Sequence, residues 1–127
     1  MSDWPKVVEV KHDVIVTMQD VDDIMSTALE GGINYWCKRA EVVGEYLGEY
    51  ASDQISRGRT LILHDSEGED KYELTLDKLL KGIQMYVANP DAPYKIVYNS
   101  ELDTCQVDAT VADMIIQFAL FGVIVYG

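Results

Sequence analysis

The sequence predicts an α+β fold, with a small, mostly antiparallel sheet packed with about three helices and a C-terminal helix more buried than the others. Three observations carry that expectation. Hydrophobic residues make up 48% of the 127 positions, and a chain of this size buries roughly two-thirds of its unfolded surface, enough for a core. Short runs alternate apolar and polar residues with a period of two, as strands do, while three longer runs repeat apolar residues every three or four positions. No linker or low-complexity tract divides the chain, so residues 1–127 are expected to form one domain.

At the N-terminus Val8, Val10, Val14 and Val16 share one parity, and Glu9, Lys11 and Asp13 take the other. This predicts a strand with one buried face, with His12 on the apolar side. From Thr17 to Gly32 the period changes. Val21, Ile24, Met25, Ala28 and Leu29 form one helical stripe, which Thr17 or Asp20 caps. Asp22 and Asp23 suit the positive end of the helix dipole, and Gly31 and Gly32 predict a left-handed stop.

Ile33 to Tyr50 carries two patterns. Ile33, Tyr35, Cys37 and Val43 fall on one parity, as in a strand. Glu41, Glu45 and Glu49 recur every four residues, as do Tyr46 and Tyr50, which a helix would align. Gly44 and Gly48 share that spacing and weaken a helix by about 1 kcal/mol each, so a strand followed by a loop is expected.

Ala51 to Arg57 reads as a short helix capped by Ser52 and ended by Gly58. Arg59 to His64 and Lys71 to Leu74 read as strands joined by the polar link Asp65 to Asp70. Thr75 then caps a helix that buries Leu76, Leu79, Leu80, Ile83 and Val87, and Asn89-Pro90 ends it. Tyr94 to Tyr98 predicts a short strand, and Asn99 to Thr104 a polar connection. Asp108 caps the last helix, whose apolar girth predicts a central position or an oligomer interface. Gly122 ends it, and Val123 to Tyr126 predicts a closing strand. Asp22, Ile24, Ala28, Leu29, Gly31, Ile33 and Tyr35 are echoed by Asp113, Ile115, Ala119, Leu120, Gly122, Ile124 and Tyr126 at a constant offset of 91. Convergence on one helix–glycine–strand grammar is the simplest account of the echo, beside duplication.

Charge narrows the function classes. Asp and Glu number 22 against 10 Lys and Arg, a formal net charge of −12. Such a surface repels phosphate backbones, so direct nucleic-acid binding is not expected, whereas a partner protein with a basic surface is. The plainer role of the same charge is solubility. No run approaches the ~20 apolar residues of a membrane helix. Nothing near Met1 resembles an export signal, and Cys37 and Cys105 lie far apart in sequence, so the cytoplasm and two buried thiols are expected.

No catalytic, metal or cofactor site emerges. Cys37, Cys105, His12 and His64 lack ligand spacing, and Asp65, Glu67, Glu69 and Asp70 miss the calcium-loop pattern because Gly68 stands fourth instead of sixth. Asp22, Asp23 and Asp113 are explained as acids in first helical turns. Lys38 and Arg39 stand beside Cys37, but no histidine base stands nearby in sequence. The strongest ligand-like cluster is Tyr35, Trp36, Lys38, Arg39, Arg57 and Arg59, where aromatics beside guanidinium groups suit a nucleotide-sized anion. Core and surface packing explain the same six residues more simply.

Four segments carry a resemblance: Ala28-Leu29-Glu30-Gly31-Gly32 with Tyr35-Trp36-Cys37, Ser56-Arg57-Gly58, Leu74 to Lys78, and Asp113 to Gly122. With these the chain resembles a family of small acidic proteins encoded by phages, prophages and mobile elements of Gram-positive gut bacteria. The resemblance implies a genomic setting and assigns no catalytic or binding residue. By analogy with other small acidic proteins carried by phages, that setting points to an anti-defence role of the anti-CRISPR kind, in which carboxylates occupy a basic channel of a host protein. Glu41, Glu45, Glu49, Asp65, Glu67, Glu69 and Asp70 are the expected contact surface. The alternatives are a sponge for a small anionic nucleotide, or a structural or assembly protein, with a homodimer possible through the last helix.

Overall fold

The computed structural model describes residues 3–8 and 13–127. Among the described residues it is an α+β fold with seven short strands in two sheets and three α-helices. The first sheet has the order β1-β2-β7-β6, formed by Lys6–Val8, Val14–Val16, Glu101–Leu102 and Val97–Tyr98. In place of the expected single N-terminal strand there are two antiparallel strands, with Val8 opposite Val14. Parity survives because both strands turn valines inward: Val8, Val14 and Val16 are buried. Val10 and His12 lie outside the described residues. The expected strand Tyr94 to Tyr98 shrinks to Val97–Tyr98 and pairs with β7 across Asn99 and Ser100, both at positive φ. That is the backbone of a tight two-residue hairpin turn.

The second sheet has the order β3-β4-β5, all antiparallel: Cys37–Val43, Thr60–Asp65 and Lys71–Leu74. The strand-then-loop expectation for residues 33–50 holds, but β3 begins only at Cys37. Ile33 closes the preceding helix by donating its N–H to the Ala28 carbonyl, leaving a turn through Trp36. β4 is central, and Leu61 and Leu63 are fully buried beneath it.

Helix α1 (Met18–Thr27) opens with a capping box in which Thr17 and Asp20 each accept the other's backbone N–H. It continues as a π turn, Ala28–Gly32. Neither Gly31 nor Gly32 is left-handed, which corrects the expected stop. Gly32 is there for proximity: a Cβ would stand 2.8 Å from the Ala109 carbonyl oxygen at the start of α3. Helix α2 (Leu76–Ala88) is capped by Thr75 as expected, and α3 (Ala109–Phe121) by Asp108.

The apolar girth of α3 is used within the chain. It lies so close to α2 that a Cβ at Gly82 would overlap the Ile115 carbonyl and stand 2.9 Å from the Ala119 Cβ. Glycine inside a helix costs roughly 1 kcal/mol relative to alanine, and close packing is what this one provides. Gly122, at φ 74°, does end α3 in the left-handed conformation. The tail after it is not a strand, because the side chain of Gln117 takes the place of a neighbouring strand. Its Oε1 accepts the N–H groups of Val125 and Tyr126 at 2.7 and 2.8 Å.

Candidate partner-binding surface

The carboxylates singled out in the helices are anchors. Asp22, Asp23 and Asp113 each lie in the second turn of their helix, and Asp20 alone stands in the first turn of α1. Asp113 is buried and accepts from the Tyr35 hydroxyl at 2.6 Å, Trp36 Nε1 at 2.8 Å and Gln117 Nε2 at 2.9 Å. Three donors occupy this carboxylate, which leaves it unsuited to act as a base. The Tyr35 phenol is pushed up to about 12, chiefly by burial and then by the hydrogen bond and charge of Asp113. Asp22 accepts from Ser56 Oγ at 2.6 Å and faces Arg57 at 3.7 Å, while Asp23 accepts from Thr104 at 2.9 Å. Burial raises the Asp22 carboxyl above its usual range, against the pull of Ser56 and Arg57.

The aromatic and cationic residues do not form one pocket. Trp36 is core: it is 2% exposed, and its ring stacks on Tyr126 at 4.7 Å with an interplanar angle of 2°. Tyr72 adds an edge contact to Trp36 and a hydroxyl contact of 2.7 Å to Tyr126. No face of the indole is left to stack a base. Lys38 and Arg39 border a shallow cavity of about 220 Å³ beside Cys37, smaller than a typical ligand pocket. Arg57 and Arg59 are engaged elsewhere. Arg57 donates to the Asp53 carbonyl at 2.8 Å, and Arg59 donates from Nε to the Glu45 carbonyl at 2.8 Å.

The thiols differ. Cys37 is buried, and desolvation pushes its pKa up, away from a reactive thiolate. Cys105 is exposed, which corrects the expectation of two buried thiols. Among the described residues no group of three or more His, Cys, Asp or Glu side chains is placed to hold a metal ion. No helix among them is long and apolar enough to cross a membrane.

Six of the seven expected contact acids divide between the two ends of the β3–β4 ladder, and Glu41 lies between them. Cys37 pairs with Asp65 at one end and Val43 with Thr60 at the other. Six residue steps at ~3.3 Å put those ends roughly 20 Å apart. At the first end Asp65 closes β4, and Glu67, Glu69 and Asp70 stand exposed on the hairpin tip. Between the ends, Glu41 is already partnered by His64 Nε2 at 2.9 Å and by Arg39 at 3.8 Å. The His64 contact holds its carboxyl below the usual range. Glu45 and Glu49 occupy the other end, in a loop and not on the helical face their spacing resembles, because Gly44, at φ 88°, ends the strand.

That loop is braced from beneath by a residue the sequence reading passed over. Gln54 is fully buried. Its Oε1 accepts the Leu47 N–H at 2.7 Å, and its Nε2 donates to the carbonyls of Tyr50 at 2.7 Å and Gly48 at 3.2 Å. Gln54 sits between two 3₁₀ turns, Ala51–Asp53 and Ile55–Arg57, where one short helix was expected. Ser52 does not cap them. Asp53 does, by accepting the Tyr50 N–H at 3.1 Å. Gly58, at φ 96°, ends the pair as expected. No family model matches the chain, and neither a curated protein nor a solved structure is significantly similar to it.

Proposed function

We propose that the protein is a non-enzymatic binding protein that occupies a basic surface of a partner protein and so blocks it. The observation that carries this reading is the net charge of −12, with Glu45 and Glu49 exposed on a braced loop and Glu67, Glu69 and Asp70 exposed on a hairpin tip. Carboxylates held this way pair with lysines and arginines that otherwise hold phosphates, and they speed encounter with them. The resemblance to phage-encoded proteins makes a host defence protein, such as a Cas effector, the expected partner, met in the host cytoplasm. The engaged states of Trp36, Arg57 and Arg59 favour this reading over a nucleotide sponge.

The test is inhibition of target cleavage by purified Cas effector complexes, measured beside calorimetry with cyclic and ADP-ribose-type nucleotides. The expected result is inhibition that weakens with salt and with charge reversal at Glu41, Glu45 and Glu49 or at Glu67, Glu69 and Asp70. Nucleotide binding without inhibition contradicts it, as does inhibition indifferent to both sets of reversals.

A further inference from the structure

The two ends of the sheet are both acidic, but only one is also apolar. Between Val43 and Tyr50, Tyr46 is 55% exposed, Leu47 50% and Tyr50 61%. Three large side chains in the open within five residues cost solvation, and exposed apolar clusters of this kind mark interaction sites on folded proteins. The segment is also held in shape. Gln54 ties Leu47, Gly48 and Tyr50, and the Arg59 guanidinium ties Glu45 and packs against Gly44. A contact surface fixed before binding loses less entropy on association than a mobile one.

Charge selects the occupant. Glu45 and Glu49 are the only carboxylates in the segment, which holds no lysine, arginine or histidine, and the neighbouring guanidinium groups donate to backbone carbonyls. Beside Tyr50 the surface runs into a groove of about 420 Å³ lined by Asp22, Asp23, Glu30 and Asp53. Burial raises the Asp22 carboxyl there against the pull of Ser56 and Arg57, and a further cation in the groove would favour its charged form. A second copy of this chain brings like charge to like charge, and an anionic lipid surface does the same.

We infer that residues 43–50, with Tyr46, Leu47 and Tyr50 as anchors, form the docking surface for a protein that presents an apolar hollow rimmed by lysine and arginine, one cation entering the groove beside Tyr50. This rests on the partner-binding reading and narrows it to one end of the sheet. Tyrosine anchors surrounded by charge are where alanine substitution costs binding most.

The probe is a random peptide library displayed on phage and panned against the immobilised protein, with recovered peptides titrated by calorimetry at low and high ionic strength. The expected peptides combine lysine or arginine with aliphatic or aromatic residues. They lose about tenfold or more in affinity on Tyr46→Ala or Leu47→Ala, and bind more weakly as salt rises. Asp22→Asn and Glu49→Gln weaken them less, with circular dichroism unchanged. Cationic peptides that ignore these substitutions but are lost on Glu67→Lys with Asp70→Lys overturn the placement and leave the charge reading standing. Recovered peptides without a cationic surplus, or none at all, overturn both. Self-association abolished by Leu47→Ala, seen by light scattering, assigns the surface to a second copy and also overturns the inference.

Discussion

The loop Val43–Tyr50 and the hairpin tip Asp65–Asp70 cap opposite ends of the same two strands, and both are acidic. They differ in what lies beneath them. The tip is tied at its base by the Ser66 N–H to the Trp36 carbonyl at 2.8 Å and the Asp65 N–H to the Asp70 carbonyl at 2.9 Å, and beyond that base the Glu67 N–H donates to the Asp65 carboxylate at 3.3 Å, a local bond near the surface. The loop is held by a buried amide that reaches it from another turn of the chain. The acids of the loop come with exposed aromatics and a dedicated support that the acids of the tip lack, so on the proposed reading equal charge carries unequal shares of the contact.

The comparison is broken most severely at Gln54. Replacing it with alanine strands the Leu47 N–H and two carbonyls, and unpaired groups of that kind cost about 1–3 kcal/mol each where water cannot reach them. A loss of about 3 kcal/mol is expected in urea denaturation. Loss below about 1 kcal/mol would mean that the loop is held by something else. Arg59→Ala removes one bond, to the Glu45 carbonyl, and should cost about 1 kcal/mol by the same measurement.

A smaller effect is expected between the two ends, at Glu41. Its folded-state carboxyl lies below the ordinary 4.5 because His64 bonds to it. The stability this supplies is present above that value and is lost as pH falls through the lower, folded one. In His64→Ala, proton titration of Glu41 by NMR should move back up towards 4.5 and the acid slope of stability should flatten. An unmoved Glu41 would remove His64 as the cause. The smallest effect belongs to the tip: Glu67→Lys, Glu69→Lys and Asp70→Lys together should leave the unfolding free energy from urea denaturation within about 0.5 kcal/mol of the parent.

Most elements were legible because apolar spacing and capping residues are local signals. Thr17, Thr75 and Asp108 cap the helices they were expected to cap, and the Asp65–Asp70 link is a hairpin. What local spacing could not show was partnership over distance. Val8, Val14 and Val16 keep one parity across two paired strands, so alternation alone could not reveal the pairing. Val123 to Tyr126 carries a strand-like pattern, but its backbone is satisfied by a glutamine from α3. Gln117 did stand out as one amide in an apolar run, and that isolation was the available clue. Gln54 had no such contrast among polar neighbours. The echo between Asp22–Tyr35 and Asp113–Tyr126 also proved local. Gly122 is left-handed and Gly31 is not, while Ile33 is buried and Ile124 is exposed. Of the candidate site, the acidic surplus was readable from composition, and its division between two ends of a sheet was not.

Native-state amide hydrogen exchange tests the central claim most directly, by comparing the Leu47 and Glu67 amides in one sample. A braced loop predicts Leu47 protection approaching that of the core strands, while Glu67 exchanges at close to the rate of an unstructured peptide. Equal, weak protection at both sites would contradict the account, because the loop would then be as loosely held as the tip.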